Sequence, residues 1–431
     1  MAKSTKTIKL NDTNTPSVLF MEIKPISTVQ IGSSYRKDFP FIFFGEKNQF
    51  PQQLIALADN STIHNALLET TTRWIAGDGL IIEEGNISEK QLYKLFNQKD
   101  YLYRLAKDMA MFGGFYKQVI WNNGGQIAEL NHLDFSTIRT GKIDIQTKKI
   151  NEFFYSPDWN ISTWKRDYSG DNEIYKPSSI PAFNPKTFRK DRQFGQLIQI
   201  KNYKAGKNNL YYAEPVYLAA LNYIDIASKV SELHKANIDN GMMPSYHIHL
   251  YEDLSDPEKR RRVEKGIQDK FSGASNAGKF IVTWSTDIEV TPKVIPLQIN
   301  NLPEMFGLLS EKVNDEIISA HRVPPFLANI RIKTGFTDAG NAMREAIENF
   351  QNTVILPYQR MITDSLEYLL SFNGIEAKLS ISNLSPISMV GDVSLIGKTV
   401  TINEYRTQIL GLEEIDGGNK LIDSGFNFNQ K

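Results

Sequence analysis

The 431-residue chain contains no cysteine, which excludes disulfide bonds, thiolate metal ligands and cysteine nucleophiles. It also lacks any run of about 18 apolar residues, so no transmembrane helix is expected. An excess of charge is missing too, because 49 lysines and arginines balance 49 aspartates and glutamates. A protein dedicated to reading DNA sequence is usually basic, so this balance argues against that class while permitting local charged patches.

Recognisable catalytic motifs are absent as well. The segment GASNAGKF, 273–280, has P-loop spacing, but Phe280 stands where that loop needs Ser or Thr and opens a β-like run. The segment GDVSLIGKT, 391–399, has five residues between its glycines instead of four. His247 and His249 alternate along a strand, yet no third ligand follows at metal-site spacing. We therefore expect no catalytic residue, no metal site and no cofactor.

Apolar residues make up 41% of the chain, and their spacing predicts both helices and strands, an α+β fold. Ser61 precedes a helical pattern that ends near Gly77, and residues 88–112 read as a second amphipathic helix. Alternating and aromatic segments between residues 115 and 200 predict an antiparallel β region. The polar N-terminus has no apolar signal-peptide core, so we expect a flexible arm there.

Three long helical patterns organise the rest of the chain, over residues 214–240, 302–322 and 341–371. Pro215 fits the first turn of the first helix. Pro357 is expected to kink the third, because proline removes a backbone donor and clashes with the preceding turn. An αβ insertion, 242–300, separates the first two helices and is predicted to hold strands around a helix at 255–272.

Basic residues occur in two places that admit more than one interpretation. The second long helix runs into Pro324 and Pro325, and a polar loop with Arg331 and Lys333 follows. Two charges on a surface loop are weak evidence for nucleic-acid contact, since such loops are often polar. The helix start PEKRRRVEKGIQDK, 257–270, is either a solvated face or a docking patch.

Five segments carry more information together than any of them alone: GEKNQFPQQLIALADNSTIHNALLETTTRWIAGDGL, YYAEPVYLAALNYI with HKANIDNGMMPSYHIHL, NAGKFIVTW, SEKVNDEIISAHRVPPFLANI and TINEYRTQILGLEEIDGGNKL. In this order they resemble the portal proteins of tailed bacteriophages, particularly the family typical of long-tailed phages and related prophages. The chain departs from the family's usual sequence at a few positions. His321 replaces an aromatic residue, Asn329 a glycine and Asn419 an aspartate, and Ala213-Glu214-Pro215 replaces Gly-Ser-Pro.

The resemblance implies a ring, typically of twelve subunits, at one capsid vertex, with DNA passing through its central channel during packaging and ejection. It also implies a division of the chain into an N-terminal arm and wing (1–210), a first stem helix (211–240), a clip (241–301), a second stem helix (302–323), a tunnel loop (324–340), a kinked wing helix (341–371), and the rest of the wing with a short crown (372–431).

Site residues follow from the same resemblance. In the tunnel loop, the residues expected to face double-stranded DNA, through non-specific phosphate contacts, are Asn329, Arg331, Lys333 and Thr334. In the clip, those expected to dock the terminase large subunit and later a head–tail adaptor are Arg260, Arg261 and Arg262. The expected helix-breaking or kinking residues are Pro324, Pro325 and Pro357.

Further partners implied are a major capsid or scaffold protein, and no membrane. The expected location is the virion, at the portal vertex of the capsid, with assembly in the host cytoplasm. Two other functions stay open on the residues alone. One is a packaging-motor ATPase or nuclease, which would need a Walker motif and acidic metal ligands. The other is a capsid shell or scaffold protein, which would assemble into icosahedral shells instead of rings.

Overall fold

The structure is a computed structural model, and it describes residues 39–45, 47–159, 177–189, 195–206, 208–239, 245–251, 258, 262, 280–285, 293–297, 302–330, 339–384, 400–409 and 412–421. The chain divides into two compact units, Met1–Ile381 and Ser382–Lys431, and each is described on its own. The described residues mix helices and sheets, which confirms the predicted α+β class. None of the helices in these ranges is long and apolar enough to cross a bilayer.

Four helices begin the described chain: α1 (Phe50–Asn60), α2 (Thr62–Ala76), α3 (Glu89–Lys94) and α4 (Tyr101–Phe112). The helix predicted after Ser61 is confirmed as α2, which ends at Gly77. The single helix predicted over 88–112 is wrong, since α3 and α4 are separate. The pattern breaks because Phe96 bridges to Leu130, whose N–H donates to the carbonyl oxygen of Leu95 at 2.7 Å.

The sheets of the first half are antiparallel, as predicted for residues 115–200. The strands are β1 (Leu80–Gly85), β2 (Gly114–Trp121), β3 (Ile127–Leu133), β4 (Ile138–Thr140), β5 (Glu152–Tyr155), β6 (Ser178–Pro181), β7 (Gln196–Lys201) and, far along the chain, β11 (Ala377–Ile381). One sheet has the order β3-β2-β7, and a second has the order β4-β5-β6. A two-stranded sheet joins β1 to β11.

The insertion forms a sheet of its own from β8 (Ser245–Tyr251), β9 (Phe280–Ser285) and β10 (Lys293–Leu297). The central strand β8 runs parallel to β9 and antiparallel to β10. A parallel pair requires a long crossover, and the two described residues of this one, Glu258 and Arg262, are helical. Phe280 opens β9 as predicted. The remainder of both P-loop-like segments lies outside the described residues.

Two long helices bracket the insertion, α5 (Leu221–Asp239) and α6 (Leu302–His321), and they pack against each other. The predicted α-helical start at residue 214 is wrong. Pro215 is extended, with ψ 154°, and a 3-10 turn at Val216–Ala220 precedes α5. The last predicted helix divides into α7 (Ala339–Phe350), a π-helical turn (Gln351–Ile355) and α8 (Leu356–Ser371).

A buried arginine fixes the first described residues to strand β4. Arg139 is fully buried, and its guanidinium donates to the side-chain oxygen of Asn48 at 2.7 Å and to the Asn48 carbonyl oxygen at 2.6 Å. The guanidinium also lies over the ring of Trp159 in a cation–π contact. Trp159 belongs to an aromatic cluster with Phe41 and Phe154. Burial lowers the pKa of Arg139 to about 10, and neutral oxygens satisfy its donors.

In the small second unit, the segment TINEYR, 401–406, makes a helix cap and a set of side-chain hydrogen bonds. Thr401 and Glu404 form a reciprocal capping box at the start of a single helical turn, Ile402–Glu404. The Asn403 side chain accepts from the Ile415 N–H at 2.9 Å and donates to the Asn419 side-chain oxygen at 3.1 Å. The motif therefore holds together a turn and a glycine-containing loop.

Candidate functional site

The connection between α6 and α7 begins with a proline turn. Arg322, just after α6, has a positive φ of 58°. Pro324 is extended, and the residues Pro325–Ala328 form one 3-10 turn. The N–H of Leu327 closes this turn by donating to the Pro324 carbonyl oxygen at 3.0 Å. Because prolines have no N–H to donate, the hydrogen-bond ladder of α6 stops here.

Asn329 ends the proline turn and is exposed to solvent. Its backbone is left-handed, with φ 55° and ψ 27°, and its N–H donates to the Phe326 carbonyl oxygen at 3.2 Å. Asparagine is one of the few residues besides glycine that adopts this conformation routinely. The first of the four predicted tunnel-loop residues therefore sits on a hydrogen-bonded turn.

A buried histidine pair anchors the end of α6. His64 of α2 and His321 of α6 are almost wholly buried, and His64 Nδ1 lies 2.8 Å from His321 Nε2. The ring of Tyr217 stacks on His321 with centroids 4.8 Å apart and an interplanar angle of 16°. A hydrogen bond between two imidazoles joins a protonated nitrogen to a bare one, so the ring that accepts is neutral.

Burial sets the charge state of this pair. It lowers the pKa of His64 to about 3, with Lys107 adding to the effect, and it lowers the pKa of His321 well below the usual value. His64 Nε2 is buried without a hydrogen-bond partner. A bare nitrogen there is less costly than an unpaired N–H, so His64 Nδ1 carries the proton and donates to His321.

An apolar groove of about 830 Å³ lies between the proline turn and α7. Its polar side chains are Arg322, Ser319, Asn349 and Thr353. The apolar side chains come from both walls and include Ile318, Val323, Phe326, Met343, Phe350 and Val354. The groove thus brings the end of α6 opposite the π-helical turn that precedes α8.

Pro357 lies in the first turn of α8, directly after the π-helical turn. The N–H of Leu356 donates to the Gln351 carbonyl oxygen, five residues back, which is the π-helical pattern. Proline has no N–H to continue an ordinary helical ladder and its ring clashes with the preceding turn. The wider π-helical turn accommodates the proline, so the regular helix is interrupted next to Pro357, where the sequence predicts a kink.

The remaining predicted site residues divide between described and undescribed parts of the chain. Arg331, Lys333 and Thr334 lie outside the described residues, and so do Arg260 and Arg261. Arg262 is helical and exposed. The structure therefore brings Pro324, Pro325 and Asn329 together in one turn, while the grouping predicted for the clip arginines stays a prediction.

The sequence alone does not reveal the histidine pair. They lie 257 positions apart, so no local spacing relates them. One signal was available: His321 occupies a position where the family usually has an aromatic residue, and its ring stacks on Tyr217 as an aromatic ring would. The π turn was signalled only by Pro357.

Other buried titratable side chains serve the core. Asp108 accepts from His132 Nε2 at 2.7 Å and from the Phe135 N–H at 3.2 Å. Burial raises the pKa of Asp108 to about 6. Within the described part of the chain, no group of three or more His, Asp or Glu side chains could hold a metal ion.

Comparison with solved structures identifies similar folds. The neck of a native gene transfer agent (GTA) particle, computed with C12 symmetry, is 19% identical over 85% of this chain and 95% of that chain, with a TM-score of 0.50. The neck of an empty GTA particle, computed with C6 symmetry, is 17% identical with the same coverage and a TM-score of 0.50. An HK97-family phage portal protein from Corynebacterium diphtheriae is 10% identical over 75% of this chain and 95% of that chain, with a TM-score of 0.46.

Comparison of the sequence gives the family. No curated protein matches the chain. The family model described as "Phage portal protein" matches residues 84–407, which is more than half of the sequence. This range runs from β1 through the insertion, both long helices and the proline turn to the capping box of the second unit. The chain therefore belongs to the phage portal protein family.

Proposed function

We propose that the chain forms a closed ring of twelve subunits at one vertex of a phage capsid. Double-stranded DNA would pass through its channel during packaging and ejection. The observation that carries this proposal is the family match over residues 84–407. The two GTA necks were computed with C12 and C6 symmetry, and a ring of twelve satisfies both.

The packing of the long helices supports a role in a ring. In this proposal α5 and α6 are the stem helices and residues 241–301 are the clip. Helix α6 contacts α5 and α2, yet it leaves Leu308 and Leu309 exposed by 68% and 41%. Apolar side chains left uncovered on a long helix favour association, and a closed ring would cover them with neighbouring subunits.

The proline turn supports the proposed DNA contact. The turn follows α6 and ends on a left-handed residue, Asn329, and the proposed tunnel loop, 324–340, would continue from there. Arg331, Lys333 and Thr334 would then meet DNA phosphates. Contact without base recognition is sufficient, because every sequence in the genome must pass.

The clip is the proposed docking platform outside the capsid. Arg260, Arg261 and Arg262 would contact the terminase large subunit during packaging and a head–tail adaptor afterwards. Portal proteins form a structural family, so the ATP chemistry would belong to the terminase. The rim of the ring would contact the major capsid or scaffold protein. Assembly would take place in the host cytoplasm, and the finished ring would reside in the virion.

Electron microscopy of the purified full-length chain tests the central claim. We expect two-dimensional class averages to show rings with a central hole and twelve-fold symmetry. Monomers at every protein concentration, with added scaffold as well as without it, would contradict the proposal. An ATPase assay on the same sample separates the portal from a motor subunit, since a portal ring should not hydrolyse ATP.

A further inference from the structure

The N-terminus of α2 is built for capping but has no cap. Ser61 is the N-cap residue and has the extended backbone that capping requires, φ −122° and ψ 107°. Its side chain nevertheless makes no capping hydrogen bond, and the first turn has no acidic residue. The first helical hydrogen bond runs from the Asn65 N–H to the Ser61 carbonyl oxygen at 2.9 Å. The N–H groups of the three residues between them have no acceptor in the helix.

The hydroxyl of Ser61 is a second and independent sign of a missing acceptor. Ser61 is only 3% exposed, and its Oγ is buried without a hydrogen-bond partner. Buried hydroxyls are normally bonded, because an unmade hydrogen bond is costly. Ser61 lines a cavity of about 580 Å³. A ligand in this cavity could accept from both the hydroxyl and the helix N-terminus.

The side chains around this cavity define the ligand's chemistry. Helix α5 contributes Ala227, Val230 and Ser231, and α6 contributes Ser310 and Asn314. Among the described residues, the lining includes several neutral hydrogen-bond donors and no lysine, arginine, aspartate or glutamate. The positive end of the α2 dipole favours an anion. A DNA phosphate is usually met by lysine or arginine, so the neutral lining favours a carboxylate.

We propose that the cavity receives the carboxylate of an aspartate or glutamate from a second copy of this chain. This inference rests on the proposed ring. Exposed Leu308 and Leu309 directly precede Ser310 of the cavity, so an apolar surface adjoins it. The same two helices expose carboxylates elsewhere, including Glu232 and Asp315. A head-to-tail contact, in which different surfaces meet, places a carboxylate of one copy at the cavity of the next.

A pair of charge variants tests the contact. Ser61→Asp supplies a carboxylate from within the chain and fills the cavity end, while Asn65→Asp adds the same charge at an exposed position of α2 that does not line the cavity. We expect Ser61→Asp to weaken self-association by about tenfold, or 1.4 kcal/mol, measured by analytical ultracentrifugation over a range of concentrations. Asn65→Asp should associate like the wild type. Ser61→Ala, which removes one donor and keeps the cavity open, should fall between them.

Adding anions to the protein at concentrations where it is not associated tests separately whether the cavity binds a carboxylate or a phosphate. Acetate and inorganic phosphate, compared with chloride at equal ionic strength, should raise the melting temperature of the wild type and not that of Ser61→Asp. Stabilisation by phosphate together with normal association of Ser61→Asp would overturn the second copy as the source. No response to either anion and no effect of Ser61→Asp would overturn the site itself. A wild type that never associates would contradict the ring, and the anion measurement would still decide the site.

Discussion

Asn329 occupies a position where glycine is common in the family that the sequence resembles. Its backbone is left-handed, with φ 55°, a conformation that glycine and asparagine both adopt readily. His321 replaces an aromatic residue and still stacks its ring on Tyr217. Asn419 replaces an aspartate and still supplies an oxygen that accepts from Asn403. These three residues thus fit the conformation or make the contact that their positions in this structure require.

Gly113 lies between α4 and β2, and any other residue at this position would displace the neighbouring backbone. Its φ is 77°, and a Cβ atom there would lie 2.3 Å from the Glu214 carbonyl oxygen. Gly374 has a similar φ of 71° after α8, with open space around it. The two glycines therefore differ in steric surroundings while sharing a backbone conformation.

We predict that Gly113→Ala lowers the free energy of unfolding by about 2–4 kcal/mol, because overpacking adds to left-handed strain. Gly374→Ala, the matched control, should cost about 1 kcal/mol, from strain alone. Urea unfolding of both variants measures the difference. Equal losses would show that the Glu214 backbone moves aside without cost.

Lys117 of β2 is a fully buried lysine held by neutral partners. Its Nζ donates to Ser365 Oγ at 2.6 Å, and burial lowers the pKa of Lys117 well below the usual value. Between the folded pKa and about 10.4, the unfolded state binds one more proton than the folded state. The free energy of unfolding therefore rises with pH in this window, by about 1.4 kcal/mol per pH unit.

We predict that Lys117→Met makes the protein more stable below the usual pKa of lysine and removes this rise as pH approaches about 10.4. Ser365 stays bonded in the variant, since its hydroxyl also donates to the Ile362 carbonyl oxygen at 2.7 Å. Lys186→Met, at an exposed lysine, is the control and should leave both quantities nearly unchanged. Urea unfolding at three pH values is the measurement, and an undiminished slope in Lys117→Met would refute the assignment.

At the scale of elements, periodic apolar spacing predicted α2 and α6 because each buries one stripe against neighbours. It failed between α3 and α4, where the Phe96–Leu130 bridge overrides the helical pattern. Proline marked the ends of regular helix at Pro324 and Pro357. The grooves and the His64–His321 pair depend on residues far apart in sequence, which local periodicity does not relate.

The His64–His321 pair joins α2 to α6 and makes that junction sensitive to acid. Because folding lowers both pKa values, protons bind the unfolded state preferentially as pH falls from about 6.5. Each histidine therefore removes about 1.4 kcal/mol of stability per pH unit below that value, down to its folded pKa. Asp108, with its pKa raised to about 6, contributes the opposite sign over part of the window.

We predict that His321→Phe lowers stability at pH 7 by about 1 kcal/mol, because the hydrogen bond to His64 is removed. The phenyl ring keeps the stacking position on Tyr217. As pH falls from about 6.5 toward the folded pKa of His321, the variant should lose stability less steeply than the wild type, by about 1.4 kcal/mol per pH unit. The contribution of Asp108 cancels when the two proteins are compared at each pH. Parallel pH profiles would show that His321 does not titrate with unfolding.

At the scale of the whole molecule, the balanced charge suits the proposed channel, through which DNA would slide. The formal net charge is zero, so long-range attraction does not hold DNA on the surface as it does for basic proteins. In the proposed ring, a few cations repeated around the channel would supply contact. Too many would resist movement, because each phosphate contact adds to affinity.

We predict that Arg331→Ala combined with Lys333→Ala leaves ring assembly intact and reduces the DNA packaged or retained per particle. The charge-preserving exchange, Arg331→Lys with Lys333→Arg, should package like the wild type, because phosphate contact needs charge more than a particular side chain. Electron microscopy checks the rings, and nuclease-protected DNA measures packaging. In a binding assay with purified rings, the slope of log affinity against log salt should become shallower by about 0.9 for each phosphate that the variant no longer neutralises. Unchanged packaging and an unchanged slope would mean that the loop packs between subunits without touching DNA.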